Sequence, residues 1–195
     1  MGTTAIVAEI LIVGLQAAAW ISLVLMSVFG TKWVHAAVQD SGTLVAVLVI
    51  AAAYVLGVIV DRLSDTAVRA VQGRGEKDRK PGTVGKKRLY VMAYGGEMGE
   101  FLEYQRSRLR IARATVFNMV FAIPAAALFA MVRGNALTDP GRVGLLAAGV
   151  VLGVIAFVAS LFAFLQVDRA FMKRLNEACE IVKEKNPELD VPMDG

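Results

Sequence analysis

"EYQRSRLRIARATVFNMVFAIPAAALFAMV", residues 103–132, decides the architecture. Arg106, Arg108, Arg110 and Arg113 crowd its first eleven residues, and the nineteen that follow carry no charge. A chain that switches so abruptly from cationic to apolar is entering a bilayer. Hydrocarbon repels the guanidiniums, while anionic headgroups at its edge attract them. A run of about 20 apolar residues crosses a core of about 30 Å. Lipid offers no hydrogen-bond partner, so the run must be a helix that satisfies its own backbone.

The same reading finds four spans: 5–28, 43–60, 112–132 and 143–166. The chain has 195 residues, 56% of them hydrophobic, and the long blocks rather than the percentage separate it from a soluble domain. The first span lacks a basic leader and is too long for a signal-peptide core, so it is expected to stay in place. Ile6 occupies the position where myristoylation after Gly2 needs Ser or Thr. Residues 61–113 hold 13 of the 21 Lys and Arg residues, the C-terminal tail five, and the short loops 31–42 and 133–142 three. Positive residues stay in the cytoplasm, which predicts cytoplasmic termini and a cytoplasmic central segment, with His35 and Asp139 outside. A single cysteine, Cys179, excludes an intrachain disulfide and fits a reducing compartment.

The fold class that follows is all-α: an integral membrane four-helix bundle with cytoplasmic helical extensions. Its parts are residues 1–60 with spans one and two, 61–111 as a cytoplasmic basic loop and amphipathic helix, 112–166 with spans three and four, and 167–195 as a cytoplasmic helix and tail. "GRGEKDRKPGTVGKKR" (73–88) reads as a linker, given its four glycines and its proline among charges. "LYVMAY" (89–94) reads as a helix or extended segment packed on its neighbours. A helix from residue 97, acidic in its first turns and then basic, runs on into span three, where Pro124 should bend it. Span four continues past the bilayer until Asn186 and Pro187, about 65 Å in all at about 1.5 Å per residue. Its apolar stripe, Phe171, Leu175, Ala178 and Val182, needs a partner, to be shared between the helix at 97–110 and a neighbouring protomer.

Three groups of residues bear on function. Asp61 and Asp65 leave span two at the depth where Arg110 and Arg113 enter span three, so ion pairs between them should pin the two spans together. Arg106, Arg110 and Arg113 share a helical face, and a second use of the cations is an acidic-ligand site. It would draw on Lys86, Lys87, Arg88, Arg106 and Arg108, with Tyr90 and Tyr94, for a nucleotide or oligonucleotide. In span one Glu9, Gln16, Trp20 and Ser27 fall in one narrow sector. Such a stripe either bonds to other helices or lines a pore around an oligomer axis, with Glu9 as a ring favouring cations. Gly149 and Gly153 mark a packing face in span four.

Catalytic signals fail in turn. His35 is the one histidine, "GTVGKKR" is no phosphate-binding loop, and Glu97, Glu100 and Glu103 spread too far around a helix to chelate together. No catalytic residue, metal or cofactor is expected, and no enzyme. "GVIVDRLSD", the basic loop and "EYQRSRLRIARATVFN" together resemble small four-span bacterial membrane proteins, some of them anti-phage defence effectors. That resemblance implies a homo-oligomer that permeabilises the bacterial inner membrane, and it carries no residue role. The leading expectation is therefore a homo-oligomeric inner-membrane channel or pore-forming effector controlled through its cytoplasmic helices. The alternative is a membrane anchor or adaptor that docks a soluble cytoplasmic partner without conducting.

Overall fold

The computed structural model describes residues 3–72, 83–133 and 140–185. Five helices follow one another: α1 (Thr3–Phe29), α2 (Lys32–Gln72), α3 (Thr83–Tyr94), α4 (Glu97–Arg133) and α5 (Pro140–Lys185). Among the described residues there is no strand. All but α3 are long and apolar enough to cross a membrane, and the chain is a multi-pass membrane protein of the all-α class. Gly82, Asp139, Asn186 and Pro187 lie outside the described residues.

Two boundaries differ from the sequence reading. Residues 32–42 are not a loop: α2 begins at Lys32, separated from the end of α1 by two residues, of which Gly30 at φ 83° makes the turn. Composition hid this helix, because polar residues extend a helix beyond lipid as readily as they form a loop. The linker reading fails from residue 83 onward as well, since Thr83–Tyr94 is one helix that includes Lys86, Lys87 and Arg88. Helix α4 stays continuous through Pro124, and α5, at 46 residues, is about 69 Å long.

The helices do not form a closed ring. Helix α1 packs on α2 and α4, and α2 also touches α4. Helix α5 rests on α4 alone along the apolar run and meets α3 beyond it. At the α1–α2 crossing the backbones nearly touch: a Cβ on Gly14 would sit 1.6 Å from the Ala53 carbonyl oxygen, and one on Gly57 would sit 2.0 Å from that of Ile10. Only glycine permits this approach. The core among these three helices is small-residue packing, with Val13, Ala17, Val60 and Ala114 buried together.

Where α2, α4 and α5 outrun their apolar segments, a second core forms. Val91 of α3, Leu102 of α4 and Phe171, Leu175, Ala178 and Cys179 of α5 are buried against one another. The stripe on α5 is therefore covered within its own chain, with Leu175 0% exposed. A neighbouring protomer is not needed to cover it. Helix α3, read as a linker up to residue 88, supplies the missing surface.

Candidate functional site

The charged end of the bundle is built where the apolar run of α2 stops at Val60 and that of α4 has yet to start. Helix α2 brings Asp61 and Asp65 to this level one turn apart, so both point toward α4. Helix α4 brings Arg113, which donates to Asp65 and, through Nη2, to Asp61 Oδ1 at 3.3 Å. The Arg113 side chain is only 14% exposed. Two carboxylates around one guanidinium leave negative charge over, which Arg69 offsets at 2.7 Å from Asp65 and Arg110 at 4.0 Å from Asp61.

A second group stands one layer further out. Arg88 Nε of α3 lies 3.4 Å from Glu103 Oε1, an ion pair without hydrogen-bond geometry. Arg106 Nη1 lies 3.8 Å from the same oxygen. Burial holds the Arg106 guanidinium below its ordinary pKa, and repulsion from Arg88 and Arg110 adds to this against the pull of Glu103. Arg106 belongs to the part of α4 that precedes the apolar run. Between the two groups opens a polar pocket of about 240 Å³, walled by α2, α3, α4 and Phe171 of α5.

The other cations part company with this site. Arg108 is exposed on another face of α4, and Lys86 is exposed on α3. Lys87 Nζ donates to Asn176 Oδ1 at 3.2 Å, and its carbonyl accepts from Cys179 Sγ at 3.6 Å. Lys87 thus ties α3 to α5. Of the five acidic-ligand candidates, the structure brings Arg88 and Arg106 together and leaves Lys86, Lys87 and Arg108 out.

The polar sector of α1 faces α4. Glu9 accepts from the Ser107 hydroxyl. Gln16 Nε2 donates to Thr115 Oγ1 at 3.2 Å, and its Oε1 accepts from Asn118 Nδ2 at 3.2 Å. Trp20 Nε1 donates to Asn118 Oδ1 at 3.2 Å, and Trp20 stacks on Phe121 with ring centroids 5.2 Å apart. Ser27 bonds back to the Leu23 carbonyl at 2.7 Å. The buried Asn118 also donates to the Val13 carbonyl at 3.2 Å.

Arg133 has a structural role that the sequence reading missed. It donates from Nε to the Met26 carbonyl and from Nη2 to the Val28 carbonyl, both at 3.1 Å, capping the last turn of α1. Helix C-termini leave carbonyls unpaired and favour cations. The readable signal was Gly30, a C-terminal glycine with no local cation in α1 to serve that end.

Ion pairs, interhelical hydrogen bonds and a capping arginine define a class rather than an activity: a polytopic helical membrane protein with an arginine-rich pocket at one end. No protein family matches the chain, and neither does any curated protein or solved structure.

Proposed function

We propose that this protein is a membrane anchor that docks a soluble cytoplasmic partner and that its protomer conducts nothing. One observation carries the reading: of the four polar residues of α1 that a pore would need, Glu9, Gln16 and Trp20 are bonded to α4 and Ser27 to its own helix. Opening a wet path along α1 would break those bonds. The charged end supplies the docking module, in which α3 and the start of α4 expose Leu89, Met92, Tyr94, Phe101 and Tyr104. Apolar and aromatic side chains left bare beyond the bilayer are the usual mark of a protein contact. The Lys and Arg bias puts this end in the cytoplasm, and the resemblance favours a bacterial inner membrane.

A homo-oligomeric pore-forming effector is the second reading, and a different observation favours it. None of residues 141–163 of α5 is buried, and Gly144 and Gly149 have open space where a side chain would stand. A second copy could approach closely there. Planar-bilayer recording of the purified protein separates the two readings. The anchor reading expects no conductance above the lipid alone. Channels that vanish in Glu9→Gln would replace it with the effector reading.

A further inference from the structure

We propose that the pocket between α2, α3 and α4 is a binding site for a phosphate group. Six arginines line it, Arg62, Arg69, Arg88, Arg106, Arg110 and Arg113. Three carboxylates answer them, Asp61 and Asp65 in the wall and Glu103 behind it. Three positive charges are left over. Arg62 and Arg69 reach solvent, the Arg69 side chain at 78% exposure, and water screens them, but the other four are withdrawn. Arg88 is 26% exposed, Arg110 34% and Arg106 36%. Surplus like charge held part-buried beside hydrocarbon is unfavourable until an anion joins it.

The anion class follows from the donors. Arg113 is consumed by the two aspartates, whereas Arg106 and Arg110 hold their carboxylates only at 3.8 and 4.0 Å. Arg62 has no ion-pair partner among the described residues. Planar guanidiniums converging from several sides match the many acceptor oxygens of a phosphate, and its double charge, better than one carboxylate. The backbone adds to them. Val84 and Gly85, in the first turn of α3, form part of the wall, and the amides of a first turn lack helical partners.

The phosphate can arrive on a soluble molecule or on a lipid. A crevice of about 100 Å³ between α1, α2 and α4 shares Asp61, Arg62 and Arg110 with the pocket, and apart from Glu9 the rest of its lining is apolar, Ile6, Ile10, Val13, Val58 and Ile111 with Gly57. An acyl chain suits that lining. The inference does not depend on whether the bundle conducts.

The test uses the full chain in nanodiscs of phosphatidylcholine, titrated with inorganic pyrophosphate by calorimetry. A second arm uses nanodiscs containing phosphatidic acid, with retained lipid counted by native mass spectrometry. At least one probe should bind, and Arg62→Gln and Arg88→Gln should each weaken that binding by about tenfold or more. Arg108→Gln, which removes the same charge outside the pocket, should leave it unchanged. Arg62→Gln breaks no ion pair among the described residues, so its result stands even if Arg88→Gln disturbs α3. Pyrophosphate binding without retained phosphatidic acid assigns a soluble ligand, and retained lipid that competes with pyrophosphate assigns a headgroup. The site is overturned if neither probe binds, or if Arg108→Gln weakens binding as much as the pocket variants do.

Discussion

The lipid-embedded half and the charged end of this protein are both helices packed on helices, yet different forces hold them. In the embedded half the buried apolar residues are small, Ala17, Ala53 and Ala114 among them, with Phe164 near the end of span four as the exception, and the specific contacts are polar or backbone-close. At the charged end the largest fully buried side chains are Leu102, Leu175, Val91 and Val182. The difference follows from solvent. Lipid is as apolar as leucine, so burying leucine against a neighbour gains little there, and close approach with hydrogen bonding decides the fold. Water surrounds the charged end, and burial of large aliphatic side chains drives it as in a soluble domain. A substitution of one kind should therefore cost very different amounts in the two halves.

The largest effect should come from Gly14→Val. Its Cβ would stand 1.6 Å from a backbone oxygen, so the α1–α2 crossing cannot survive it. We expect loss of about 3 kcal/mol or more, read as a collapse of the transition in a detergent-unfolding titration. Retention of a native transition would mean that this crossing is not the one that holds the embedded half.

Leu175→Asp should open the other half alone. A carboxylate at a site of 0% exposure costs several kcal/mol. Cys179, the single cysteine of the chain, reports the opening. In the wild type it is buried, and that burial raises its thiol pKa despite the nearby Lys87, so maleimide should label it slowly. In the variant labelling should speed up by about two orders of magnitude, while the transition of the embedded half stays in place. Joint unfolding of both halves would show one cooperative unit and end the comparison.

At the boundary, Arg113→Gln should cost about 3 kcal/mol, because it removes the part-buried cation between Asp61 and Asp65 and leaves them only Arg110 at 4.0 Å and the exposed Arg69. Adding Asp65→Asn should restore part of that loss by removing one of the two carboxylate charges. A double variant no better than the single one would mean that Arg113 acts through packing of its stem rather than charge.

The sequence carried some of these features and concealed others for physical reasons. Spans announce themselves, because hydrocarbon tolerates so few charges that 43–60 and 143–166 cannot be anything else. The common depth of Asp61, Asp65 and Arg113 is readable in the same way, since each sits where an apolar run begins or ends. Helix α3 was opaque. Its glycine and three adjacent cations resemble a linker, and only the surface offered by Leu102 and Leu175 makes Val91 worth burying. Gly14 and Gly57 were passed over because an isolated glycine in an apolar helix is common, and its meaning lies in the opposing backbone. Conversely Gly149 and Gly153 look like a motif, but a Cβ on Gly153 alone would meet a neighbour, Ile123 at 3.1 Å.

The smallest effect sharpens the comparison most. Asn118 is the polar hub of the embedded half, accepting from Trp20 and donating to Val13 and Gln16. Its removal sounds costly, but the lost bonds are largely replaceable. The Val13 carbonyl lies inside α1 and can keep its helical bond, and Gln16 retains Thr115. Only the indole N–H of Trp20 is left without a partner. Interhelical hydrogen bonds in membranes average about 0.6 kcal/mol and reach about 1.7, so Asn118→Leu should cost about 1 kcal/mol. In that background Trp20→Phe, which deletes the orphaned donor, should cost less than it does in the wild type. The two-residue cycle should then yield a coupling of about 0.6 kcal/mol in detergent unfolding. Coupling well above about 2 kcal/mol would show that polar bonding outweighs the glycine contacts in lipid, and Gly14 would lose its place as the larger determinant.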